Sequence, residues 1–156
     1  MRAKILSILS EGPSIFEDLI RNIPEPMRTQ IRKPGKWTIH QHCCHLADSQ
    51  NMMNKRFLRF KTEESPVFLP YLPGKQQSVD YLINLNLAKS LEEFHIKRKE
   101  MLSILNSFQE NDWIKTGSHP EYRIFTPEIF LRHIMFHDYI HMYRIEELWL
   151  TVDEYL

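Results

Sequence analysis

Apolar residues recur along this 156-residue chain at the three- and four-residue steps of a helix, with no sustained strand-like alternation. Ile39, Cys43, Leu46, Met53, Phe57 and Phe60 mark one stripe. Leu87, Leu91, Phe94, Met101, Ile104, Leu105 and Phe108 mark a second, and Phe130, Ile134, Ile145 and Leu148 belong to a third. Two helix starts are visible in their caps. Thr38 followed three residues later by Gln41 has the capping-box pattern, which predicts a helix from there to about Lys61. Thr126-Pro127 sets a cap before a proline at the first helical position, and predicts a helix to about Leu150. Another is expected over about residues 2–22, with an interruption allowed near Gly12-Pro13, and a last one from Tyr81 or Ala88 to Phe108.

Four long amphipathic segments separated by Pro and Gly clusters predict an all-α fold: a four-helix bundle made by a single domain over residues 1–156. The longest break, Glu64 to Gln77, reads as a Pro-rich crossover loop with Phe68, Tyr71 and Leu72 as apolar anchors. Lys plus Arg equals Asp plus Glu at 20 each, so no net field draws the chain to nucleic acid or to an anionic membrane. The basic runs Lys55, Arg56, Arg59 and Lys61, and Lys97, Arg98 and Lys99, alternate with apolar residues and read as solvated helix faces. No apolar run approaches the roughly 18 residues of a membrane span, and the first residues lack the pattern of a signal peptide. Cys43 and Cys44 are neighbours, too close to pair with each other, so no disulfide framework is expected. The expectation is a soluble, cytoplasmic protein.

The chemistry is concentrated in the eight histidines. On the last predicted helix, His137 and His141 continue the stripe between Ile134 and Ile145, at positions where apolar side chains are expected. Residues four apart on a helix leave the same face about 5–6 Å apart at Cβ, close enough for two imidazoles to converge on one ion. His133 extends the series, but it lies about 12 Å along the axis from His141, so it cannot share an ion with it. Either His133 and His137 or His137 and His141 form the pair, and only the second lies squarely on the stripe. A third ligand would come from a facing helix, where His42 and His45 are both available and spacing does not choose between them. His40, in the first turn, is expected to be exposed. Cys43 falls on the apolar stripe, and Trp37, Trp113 and Trp149 read as packing residues at helix boundaries.

Two short stretches resemble the DinB/YfiT-like superfamily of metal-binding four-helix bundles. One is Lys36-Trp37-Thr38 followed by His45-Leu46-Ala47-Asp48; the other is His137-Asp138-Tyr139-Ile140-His141. The turn at Gly117-Ser118-His119-Pro120 and the start at Thr126-Pro127 are similar to the family's approach to its last helix. Gln41 stands where the family often has Glu, a departure that touches the cap and leaves the histidines alone. The resemblance implies His45, His137 and His141 as ligands of one divalent ion, Zn or Ni.

Three imidazoles leave such an ion with open positions, the pattern of a catalytic centre. The resemblance implies either thiol-S-transfer with a low-molecular-weight thiol or metal-dependent hydrolysis of a small-molecule substrate, and transfer is the first expectation because an open ion on three histidines can accept a thiolate directly. A non-catalytic, metal-stabilised homodimer, joined through Met135, Phe136, Met142 and Tyr143, is the third. Asp48 and Asp138 are the acids placed to orient a ligand imidazole through its second nitrogen.

Overall fold

The computed structural model describes residues 1–71 and 80–156. Among them, six α-helices and one small hairpin follow in the order α1 (Arg2–Arg21), α2 (Glu25–Arg28), α3 (Ile39–Thr62), α4 (Leu87–Asn106), α5 (Glu110–Trp113), β1 (Gly117–His119), β2 (Tyr122–Phe125) and α6 (Pro127–Leu150). The four long helices α1, α3, α4 and α6 form the predicted bundle. α4 and α6 each pack against both α1 and α3, which places α1 and α3 across one diagonal and α4 and α6 across the other. No helix among the described residues is long and apolar enough to cross a membrane.

The two caps behave as their sequences dictate. The Thr38 hydroxyl oxygen accepts from the Gln41 N–H at 3.2 Å while Gln41 Oε1 accepts from the Thr38 N–H at 2.9 Å. Thr126 accepts from the Ile129 N–H at 3.3 Å, ahead of Pro127. The third long helix starts at Leu87, after a separate 3-10 turn over Leu82–Asn84, and Asn86 caps it through Lys89.

α1 does not break at Pro13, where an interruption was allowed. Proline has no N–H for the carbonyl four residues earlier, here Leu9. That carbonyl accepts instead from Arg98 Nη1 of α4, at 3.3 Å. Arg98 is not on a solvated face as its basic run suggests: it is 1% exposed and also meets Asp138 Oδ2 of α6 at 2.8 Å and Gln50 Oε1 of α3 at 3.1 Å. One guanidinium thus joins all four long helices. The core forms two apolar clusters, one around Phe57, Phe60 and Phe130 and the other around Phe16, Ile39 and Phe94.

The sequence reading contained no strands, and the hairpin corrects it. Strands of three and four residues are too short for period-two alternation to show. The chain leaving α3 is stitched to β1: the Phe68 N–H donates to Ser118 O at 2.8 Å and the Ser118 N–H to Pro66 O at 2.9 Å. Phe68 fills the space between Phe60 and Phe125, with ring centroids 4.9 and 5.2 Å away. Gly117 is required by this contact, because a Cβ there would stand 2.6 Å from the Phe68 ring. Of the Pro-rich connection, the part up to Tyr71 is anchored in this way; Leu72 to Gln77 lie outside the described residues.

Candidate metal centre

Because Thr38 fixes the start of α3, His42 and His45 emerge from its first two turns and face the middle of α6. His137 and His141 answer from one face of α6. One ring nitrogen from each of His45, His137 and His141 lies within 4.8 Å of the other two. His45 Nε2 and His137 Nε2 are 3.1 Å apart, and the His141 ring centroid is 4.7 Å from that of His45 and 4.6 Å from that of His137. A tetrahedral ion with bonds of roughly 2.0–2.1 Å holds its ligand atoms about 3.3 Å apart, so this pair fits a shared ion. The structure therefore brings together the three histidines singled out in the sequence.

Burial sets their protonation. It pulls the pKa of His45 down to about 3 and that of His141 to about 2, with neighbouring histidines adding to the effect. Both are neutral at physiological pH, the form that donates a lone pair to a metal.

The other histidines take separate roles. His42 is not in the triad. Its Nδ1 lies 2.8 Å from Nδ1 of His141, so one donates and the other accepts, and the His141 ring is held with its Nε2 free. His42 is itself lowered to about 4 by burial and then by Arg144. His133 flanks the site: its ring is 6.3 Å from that of His137, and its Nδ1 pairs with the Tyr122 hydroxyl at 2.9 Å. His40 is half-buried rather than exposed, because its Nε2 sits 3.5 Å from the Cys44 sulfur. Cys43 lies in the core, and Cys44 contacts Ser90 and His40 rather than the triad.

Neither acid makes the contact with a ligand imidazole that its position suggests. Asp48 accepts from the hydroxyls of Tyr71 at 3.2 Å and Tyr81 at 3.1 Å, so it ties two points of the connection between α3 and α4 to the helix. Asp138 is committed to Arg98, and its Oδ1 is 3.9 Å from His137 Nδ1, beyond hydrogen-bond reach. Both of those facing atoms are buried without a hydrogen-bond partner.

The triad lies in the wall of a cavity of about 320 Å³. Trp37 closes one side, its ring 4.9 Å from His45 and 6.0 Å from His141, and Tyr71 lies 6.3 Å from His45 on another. His119, Tyr122 and His133, carried by the hairpin and the start of α6, complete the lining. Trp37 is thus part of the site and not only a packing residue. His119 was visible in the sequence only as part of a turn; without the hairpin, nothing local pointed its ring inward.

Comparison with known proteins agrees with this architecture. The structure is similar to YfiT from Bacillus subtilis, described as a probable metal-dependent hydrolase with an unusual four-helix bundle topology. The TM-score is 0.84 at 24% identity, over 94% of this chain and 84% of that one, a likeness of fold. A protein of Oceanobacillus iheyensis named "Putative metal-dependent hydrolase" is 34% identical over 125 residues, covering 73% of this chain and 70% of its own. The family model of the DinB superfamily matches residues 8–145, and the chain belongs to that superfamily.

Proposed function

We propose that this protein is a metal-dependent enzyme that holds one divalent ion, zinc or nickel, on His45, His137 and His141 and acts on a small molecule by hydrolysis. The observation that carries this reading is the convergence of three imidazoles on one wall of an open cavity, two of them deeply buried and kept neutral. An ion bound there would supply a nucleophile at neutral pH, as hydroxide from water or as thiolate from a thiol. The chain's own residues do the rest. His42 sets the His141 ring, Trp37 and Tyr71 shield the histidines from bulk water, and the Tyr122–His133 pair offers a hydroxyl and an imidazole in the same cavity.

Hydrolysis is placed first because both similar proteins carry that description. Thiol-S-transfer, the first expectation from the motifs, remains the second reading on one observation. Both cysteines of the chain are buried away from the triad, so a thiol reaching it must come from solution as a cosubstrate. A cytoplasmic location suits both readings, as does a homodimer formed through the exposed Phe136 and Tyr143 of α6.

The test is an activity screen with protein stripped by chelator and reloaded with zinc or nickel. Ester and amide substrates are run beside thiol-transfer substrates with an added low-molecular-weight thiol. Metal-dependent turnover of the first set without thiol supports the hydrolase. Turnover only with thiol replaces it with the transferase, and no metal-dependent turnover in either contradicts both.

A further inference from the structure

Arg56 does not belong to the solvated face that its sequence run suggests. It is half-buried, and its guanidinium lies at the wall of the cavity that holds the histidine triad. Burial lowers the pKa of His119 and His133, and the Arg56 charge adds to both, which places it in electrostatic range of these two residues of the cavity lining. One edge is engaged: Nη2 donates to the Leu69 carbonyl at 2.6 Å. The rings of Phe68 and Phe130 lie 5.7 and 5.6 Å from its Cζ, a favourable environment for a cation.

The missing feature is a carboxylate in contact. Arg59, one turn further on, has Glu63 at 2.6 Å, and the buried Arg98 has Asp138 at 2.8 Å. Arg56 makes no contact ion pair among the described residues; Glu121, which lines the same cavity, acts on it only from beyond contact distance. The undescribed residues 72–79 contain neither Asp nor Glu, so no acid of that segment can serve either. A half-buried guanidinium with no carboxylate in contact has donors left for a ligand, and its planar fork suits an oxyanion.

We propose that Arg56 is the anion-binding residue of this site and that the molecule taken up carries an oxyanion, a carboxylate in the simplest case, positioned across the cavity from the histidines. The proposal rests on the metal-centre reading only in treating that molecule as the substrate. The cavity, at about 320 Å³, sets its size as small. Arg56 would fix one end of the molecule while the histidine wall meets the other, so it selects for charge and orientation.

The test has two arms. In metal-free protein, the Arg56 Nε–H resonance is followed by nuclear magnetic resonance during titration with propionate or with propionamide. A saturable shift with propionate and none with propionamide is expected; no saturable shift with propionate overturns the proposal. In cobalt-loaded protein, 3-mercaptopropionate and 3-mercaptopropionamide are compared through the thiolate-to-cobalt absorption band. The acid is expected to bind at least tenfold more tightly. That preference should vanish in Arg56→Gln and survive largely in Arg56→Lys, with thermal melts showing that both variants fold. Equal binding of acid and amide overturns the proposal, as does a preference that persists in Arg56→Gln. If neither thiol gives a cobalt band while propionate still shifts Arg56, the metal reading fails and the anion site stands.

Discussion

Nδ1 of His42 lies 2.8 Å from Nδ1 of His141, which makes a residue of α3 the orienting partner of a candidate ligand on α6. Such outer partners fix the ring and its tautomer, and their loss costs roughly 10–100-fold in metal affinity. His42→Ala is therefore expected to weaken zinc binding by about that factor, and less than removal of any triad histidine. Competition against a chromophoric chelator measures it. An unchanged affinity would show that the pair contributes packing alone.

The depressed histidine pKa values make stability depend on pH. His45 at about 3 and His141 at about 2 both lie below the ordinary histidine value of 6.5. Below that value the unfolded chain takes up protons that the folded one refuses, so stability is full above it and falls as pH drops. From about pH 7.5 to about pH 5.5 the metal-free protein should lose about 2–3 kcal/mol from these two groups. Urea unfolding at the two pH values checks this, and a flat profile would mean that the imidazoles are not desolvated in the folded state.

The Arg98–Asp138 pair is 1% and 4% exposed, so removing one partner strands a buried charge. Asp138→Ala is expected to cost about 3–5 kcal/mol in chemical unfolding. Arg98→Met should be milder than the loss of charge alone suggests at Asp138, yet it also leaves the Leu9 carbonyl without a donor beside Pro13. Local fraying of α1, read by amide exchange around Leu9, is expected in Arg98→Met and not in Asp138→Ala.

Gly117→Ala tests the seam between the hairpin and the chain leaving α3. The added Cβ would meet the Phe68 ring at 2.6 Å and the Pro66 carbonyl at 3.0 Å, and neither can withdraw freely. A loss of about 1–3 kcal/mol is expected in thermal or urea unfolding. A neutral effect would place slack in a contact that the structure shows as tight.

Much of this was legible along the chain, and what was not has a common cause. The starts of α3 and α6 could be read because their caps are local, within three residues of Thr38 and Thr126. The triad was legible on α6 because His137 and His141 interrupt an apolar stripe, and on α3 because the motif around His45 resembles a known family. The continuity of α1 was hidden, since the donor that replaces the Pro13 N–H comes from Arg98, in another helix. Arg56 and His119 were hidden for a similar reason. Arg56 alternates with apolar neighbours as a surface residue would and His119 reads only as part of a turn, and it is the tertiary packing that makes both line the cavity. Asp48 sits where an orienting acid is expected, but two tyrosines take up its oxygens.

The central claim is that His45, His137 and His141 bind one metal ion. Elemental analysis of protein purified without chelator or histidine tag tests it most directly, beside His137→Ala and His133→Ala. The account predicts about one equivalent of zinc or nickel in the native protein and in His133→Ala, and little in His137→Ala. No metal in the native protein, with none taken up when zinc or nickel is added back, would contradict it, as would equal loss in the two variants.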